Sequence, residues 1–309
     1  MFKQRTLKTS ATISGVGVHS GANMQLALYP ADVNTGIVFR RIDLQPTVTI
    51  PALHQYVGDT RLNTCLAKDG AMIATVEHLL SAFAGLGIDN AYVEIMATGS
   101  PIAELPIVEL PVLDGSAFPF VSLIREAGVV EQAVDKLFLK IKREVSVTEG
   151  DKIAKIEPYD GFKFSLAIDF NHPAIMNSRQ EMHFDFTQIS YIEEISHART
   201  FGFLSEYEYL RSNNLALGAG LENTVVLNDT AVVNVEGLRY PDEFIKHKVL
   251  DAVGDLHLLG HNFIGAFTGH KSGHSLNHRL REALLADKDA WELAPRPATD
   301  SFPVSFHLL

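Results

Sequence analysis

Two residue types that bind divalent metals fall four apart in FIKHKVLDAVGDL, at His247 and Asp251. On a helix that spacing puts both side chains on one face, about one turn apart, close enough for one ion to bridge them. On a solvated helix the same pair is only a minor ion pair. Glu77 and His78 follow Thr75 at the start of an otherwise apolar stretch, where charged residues are costly if buried without partners. Neighbours on a helix point about 100 degrees apart. One can therefore bind a metal while the other reaches a water beside it. Solvation of both at an exposed helix start is the plainer alternative.

GHKSGHSLNH, residues 269–278, is the third element. Glycines around His274 suit a loop that brings the ring close to a ligand. The rival is a second metal site, because His270, His274 and His278 are spaced by four. Gly269 and Gly273 argue against a continuous helix through the first two, so a catalytic loop is the expectation. Six of the 13 histidines lie between residues 247 and 278, and Cys65 is the one cysteine. With a single thiol there is no intrachain disulfide and no multi-thiolate cluster, so any metal must rest on His, Asp or Glu.

The elements that must position these groups can be read from patterning. Residues 11–50 alternate apolar and polar between Gly and Pro, as short strands do. Helical spacing follows at 76–84, then the strand-like NAYVEIM and a Pro- and Glu-rich loop containing IAELPIVELP. A second helix ends near Gly128. Residues 129–136, VVEQAVDK, read as a linker, after which strands at 137–148, 152–157 and 162–170 restart the theme. A strong helix at 242–259 has Pro241 at its entry and acids in its first turn. The segment after His78 and the segment after His247 echo one another, each an apolar helix, a Gly-containing turn, an Asn and an apolar strand. The expected fold is α+β: two similar two-layer sandwich domains, each with helices on a mainly antiparallel sheet, and the active site between them. The expected bounds are 1–128, linker 129–136, 137–288, and a surface tail at 289–309.

A chain of 309 residues with 46% apolar content can fill two ordinary cores. Acids outnumber bases 37 to 26, for a net charge of -11, which excludes nucleic acid as the main partner. No run approaches the ~20 apolar residues of a membrane span, and MFKQRTLKTSATISG has no signal-peptide apolar core. A cytoplasmic monomer is expected, with peripheral membrane contact left open.

Taken together, TVEHLLSAFAGLGIDN, SHARTFGF, EFIKHKVLDAVGDL and GAFTGHKSGHSLNH resemble the UDP-3-O-acyl-N-acetylglucosamine deacetylases, enzymes of lipid A synthesis in Gram-negative bacteria. The resemblance runs from GVGVHSG near the start to about Leu285. It implies a zinc ion held by His78, His247 and Asp251 with one position open, as a catalytic zinc needs; iron(II) suits the same donors. It further implies Glu77 as the base that activates water and His274 as the acid that protonates the departing nitrogen. Asp255 would orient His274, Thr200 would bond the developing oxyanion, and Lys248 would meet substrate oxygens. Phe201 and Lys271 would contact the nucleotide-sugar, and Tyr207, Leu210, Ala219 and Gly220 would line an apolar passage for the acyl chain. The substrate so implied is a UDP-linked acylated amino sugar. Relative to the family pattern, IAELPIVELP lengthens a loop.

Duller readings stand beside these. Asp255 and Lys248 can be surface charges of one helix, Thr200 can serve only the backbone, and residues 215–227 can be ordinary core. Lys136, Lys140, Lys142 and Arg143 can meet a diphosphate or sit at solvated strand ends. Two rival functions remain: a zinc deacetylase of a soluble amino sugar, and a non-catalytic nucleotide-sugar or phosphate-binding module suggested by Leu217-Gly218-Ala219-Gly220. The second is weakened because no GxxxxGK[ST] loop is present. A scaffold with a structural metal lacks a fourth ligand.

Overall fold

A computed structural model describes residues 1–98, 107–186, 189–298 and 304–307. In chain order the helices are α1 (Glu77–Leu86), α2 (Phe118–Ala127), α3 (Pro173–Met176), α4 (Tyr191–Glu194), α5 (Leu204–Ser212), α6 (Glu243–His257) and α7 (His274–Ala286). They are set among strands in an α+β arrangement. Five strands of the first half form a sheet in the order Ala11–Val16, Asn23–Pro30, Ala91–Ala97, Ile37–Arg41, Val48–Pro51. Its pairings are antiparallel except where Ile37–Arg41 runs parallel to Ala91–Ala97. The second half builds a seven-stranded sheet around Phe263–His270, which pairs antiparallel with Lys152–Glu157 and parallel with Phe162–Ala167 and Leu137–Ile141.

The halves meet helix to helix. Every residue of α1 is buried, and so is every residue of α6 except Lys248. A helix covered on all sides belongs to the interior, and here each helix is covered partly by the other. Gly254 permits the approach: a Cβ there would overlap the Glu77 carbonyl oxygen. α1 itself ends at Gly87, whose φ of 70° gives the left-handed C-cap, with its N–H turned back to Phe83 and Ala84. The buried apolar residues of both halves form one continuous cluster, so the two cores expected from composition are merged through the α1–α6 contact.

Three segments differ from expectation. Residues 129–136 are not an open linker: Val129–Asp135 is a strand paired antiparallel with Lys3–Leu7. The N-terminal strand supplies backbone partners that no local pattern announces. The expected surface tail contributes the strand Trp291–Pro295 to the second sheet, antiparallel to Leu137–Ile141, and Ser305 and Phe306 are buried. His274 lies on no loop but opens α7, with Gly273 as its extended N-cap; the glycine marks the strand-to-helix break. Of IAELPIVELP, residues 102–106 lie outside the described residues, and Ile107–Glu109 pairs parallel with Ala71–Ala74.

Candidate metal centre and acid–base pair

The chain enters α1 through Thr75, which holds a φ of 57°. This is a costly conformation for a β-branched residue, and two hydrogen bonds pin it. The Thr75 hydroxyl donates to Glu109 Oε1 at 2.8 Å and accepts from Asn63 Nδ2 at 3.0 Å. Glu109 also accepts from the backbone of His19 and Ser20, at 3.0 and 2.8 Å. The strained turn thus sets where Glu77 and His78 begin their helix.

On the facing helix, Arg199 ties the segment before Thr200 to the first turn of α6. Its Nε donates to Glu243 Oε1 at 2.9 Å, and its backbone N–H to the same oxygen at 3.0 Å. The Ala198 carbonyl lies 3.0 Å from His247 Nδ1. A carbonyl can only accept, so Nδ1 carries the hydrogen and Nε2 keeps a lone pair. Burial, against the attraction of Asp251, pushes the His247 pKa down to about 3, leaving a neutral imidazole.

Asp251 divides its carboxylate. Oδ2 accepts from Lys248 Nζ at 2.8 Å. Oδ1 is buried and has no hydrogen-bond partner among the described residues. It lies 3.5 Å from His78 Nε2 and 3.4 Å from His247 Nε2. Burial pushes the carboxyl up, but the positive groups around it, Lys248 and His274 among them, outweigh it and hold it well below the usual range. The three donor atoms sit within 4.8 Å of one another. Tetrahedral ligands about 2.0 to 2.1 Å from an ion stand roughly 3.3 Å apart, close to both measured separations. An orphaned buried carboxylate oxygen facing two imidazole nitrogens therefore fits a divalent ion.

Across from these donors, Glu77 Oε1 and His274 Nε2 are 3.9 Å apart. Burial pushes the Glu77 carboxyl above its ordinary range, against the pull of His274 and His78. His274 Nδ1 lies 2.9 Å from Asp255 Oδ2. Burial disfavours its charge, yet the Asp255 carboxylate, with help from Glu77 and Asp251, raises its pKa to about 9. It is therefore protonated at neutral pH. Asp255 is itself fully buried and also accepts from Asn277 Nδ2 at 2.9 Å and from the Thr64 hydroxyl at 2.6 Å.

A cleft of about 60 Å³ gathers Glu77, His78, Thr200, His247, Lys248, Asp251 and His274 along its wall. His19, Asn63 and Thr75 join them, none of which the sequence reading singled out. Asp255 stands behind His274. Phe201 does not line this cleft; its ring packs edge-on against Phe244 at 5.1 Å and lies under Lys248 Nζ at 5.5 Å. Tyr207, Leu210, Ala219 and Gly220 line a separate apolar cavity of about 300 Å³, which begins at Gly202, two residues beyond Thr200. Lys271 is held away from the cleft by Asp151 and Asp169, each at 2.6 Å.

The proposed basic cluster is dispersed. Lys136 is buried against Asp89 at 2.7 Å, and Lys140 and Arg143 pair with Glu292 and Asp287. Thr64, Asn277 and Glu109 were missed because each reaches its partner through tertiary packing. For Glu109 alone there was a signal, an acid amid the apolar residues of IVEL.

Comparison with known proteins agrees with this geometry. Residues 4–286 match the family model for UDP-3-O-acyl N-acetylglycosamine deacetylase. A protein of Coxiella burnetii (strain Dugway 5J108-111) named UDP-3-O-acyl-N-acetylglucosamine deacetylase is 53% identical over 306 residues, covering 99% of this chain and 98% of the relative. Relatives of the same name from Hahella chejuensis and Thioalkalivibrio sulfidiphilus are 53% and 52% identical, with the same coverage. A family match over nearly the whole chain, on a fold that brings His78, His247, Asp251, Glu77 and His274 into one cleft, makes this chain a member of the UDP-3-O-acyl-N-acetylglucosamine deacetylase family.

Proposed function

We propose that this chain hydrolyses the 2-N-acetyl group of UDP-3-O-acyl-N-acetylglucosamine, releasing acetate and UDP-3-O-acyl-glucosamine, as its relatives' names indicate. That reaction is a step of lipid A synthesis. The observation that carries the reading is the placement of Glu77 and His274, 3.9 Å apart, beside the His78, His247 and Asp251 donors.

Zinc is our reading of the ion, with iron(II) chemically compatible. When bound, it polarises the amide carbonyl and makes water easier to deprotonate. Glu77, whose buried carboxylate is a stronger base than a solvated one, takes a proton from the attacking water. The water oxygen forms the new bond to the acetyl carbon. As the C–N bond breaks, His274 gives its proton to the nitrogen, because an amine does not leave as an anion at neutral pH. Asp255 keeps His274 charged and turned toward the cleft. Thr200 and Lys248 line the wall where the oxyanion develops.

The apolar cavity supports a substrate with an acyl chain. Lys271 and Phe201 lie outside the cleft, and we assign them to the nucleotide-sugar portion. Every group the chemistry needs comes from one chain, which supports a monomer. Among the described residues no helix is long and apolar enough to cross a membrane, in keeping with work in the cytoplasm.

The test is acetate release by the native chain from the 3-O-acylated UDP-sugar and from UDP-N-acetylglucosamine. Release from the first, much slower release from the second, and loss of both on chelation are expected. Equal rates on the two would favour a soluble amino sugar as substrate.

A further inference from the structure

We infer that Thr64 is a positioning residue that holds the Glu77 carboxylate in register with the Asp255–His274 pair, an inference that rests on the deacetylation proposed above. Thr64 lies between the short turn His54–Tyr56 and the strand Leu66–Lys68 and is wholly buried. Its three polar groups go to three places. The backbone N–H donates to Glu77 Oε2 at 3.0 Å. The hydroxyl donates to Asp255 Oδ1 at 2.6 Å. The carbonyl accepts from the backbone N–H of Val76, the N-cap of α1, at 3.2 Å.

These contacts make one residue a polar bridge between two helices that also pack directly. Glu77 is on α1 and Asp255 on α6, and Thr64 touches both carboxylates while its carbonyl fixes the start of α1. A carboxylate only accepts, so the direction of the hydroxyl bond is set, and its shortness is that of a charge-assisted contact. Asp255 Oδ2 receives His274 Nδ1 at 2.9 Å and Asn277 Nδ2 at 2.9 Å. Oδ1 also lies 3.1 Å from His274 Nδ1, so the Thr64 hydroxyl is what keeps His274 nearer Oδ2; without it the carboxylate can turn to face His274 with both oxygens and shift the ring, changing the 3.9 Å separation from Glu77. Thr64 does not line the cleft, although Asn63 and Thr75 do. It therefore acts on the reaction through other residues.

Thr64→Val keeps the shape and removes the hydroxyl; Thr64→Ser keeps the hydroxyl. Steady-state acetate release and metal content are measured for both, and Thr64→Val is repeated in an Asp255→Ala background. Thr64→Val is expected to lower kcat roughly 10- to 100-fold, with KM and metal content unchanged. Thr64→Ser should stay within about 3-fold of native, and in the Asp255→Ala background Thr64→Val should cost nothing more. Should the valine variant fail to fold, Thr64→Ala replaces it with the same expectations. A kcat within 2-fold of native for the hydroxyl-free variant, or an equal loss in the Asp255→Ala background, overturns the inference. If the native chain itself released no acetate, the proposed reaction would fall first and this inference with it.

Discussion

His274 on α7 and Asp255 on α6 face each other with Nδ1 and Oδ2 2.9 Å apart, so the carboxylate lies on the side of the imidazole away from the cleft. The ring stands at the first residue of its helix, where the dipole disfavours a positive charge. Asp255 outweighs both that and burial, and the pKa rises to about 9.

A pH dependence follows from the sign of that shift. In the proposed reaction the acid form of His274 donates the proton, so kcat/KM should fall as pH rises through about 9. Without the carboxylate, burial dominates and the imidazolium is lost earlier. Asp255→Ala should move the alkaline limb to lower pH by about one to three units, read from a pH profile of acetate release. An unmoved limb would detach Asp255 from the titration of His274.

Helix contact sets a second expectation. A side chain at Gly254 would overlap the Glu77 carbonyl, so Gly254→Ala must spread α1 from α6 and with it His78 from His247. Stability should drop by about 1 to 3 kcal/mol, measured by urea unfolding, and metal affinity should fall in parallel. A native-like unfolding midpoint would mean that the helices have slack the packing does not show.

Acyl-chain selection can be tested at Ala219, on the wall of the apolar cavity. Ala219→Phe should fill part of the roughly 300 Å³ and reduce kcat/KM for a long-chain substrate about 10-fold or more, while sparing a short-chain analogue. An equal loss on both would place the acyl chain elsewhere.

Much of this architecture was legible where the signal was local. α1 and α6 declared themselves through helix-forming, apolar composition and through Pro241 and Glu243 at the start of α6. The strands of the first sheet followed from alternation, as did those within 137–170 of the second, whereas Glu181–Asp185 of that sheet carried no such signal. His78, His247, Asp251, Glu77 and His274 stood out by residue type and spacing, and the motif resemblance gave them roles. What escaped was set by distant partners. Residues 129–135 look like a linker until Lys3–Leu7 pairs with them. Trp291–Pro295 looks like a tail until Leu137–Ile141 accepts it. Thr64 and Asp255 are 191 residues apart, and no pattern near either threonine or aspartate announces their contact. His274 was placed on a loop because glycines flank it, whereas the strand ends at His270 and Gly273 is the extended N-cap from which the helix begins.

The central claim is a division of labour on adjacent residues, with His78 holding the ion and Glu77 moving a proton. Metal content and acetate release, measured together for the native chain, His78→Ala and Glu77→Ala, test it most directly. His78→Ala should lose most of its metal, because it removes one of the three donors. Glu77→Ala should keep its metal and lose turnover by roughly 100- to 10,000-fold. Native-rate hydrolysis by Glu77→Ala, or full metal occupancy in His78→Ala, would contradict the account.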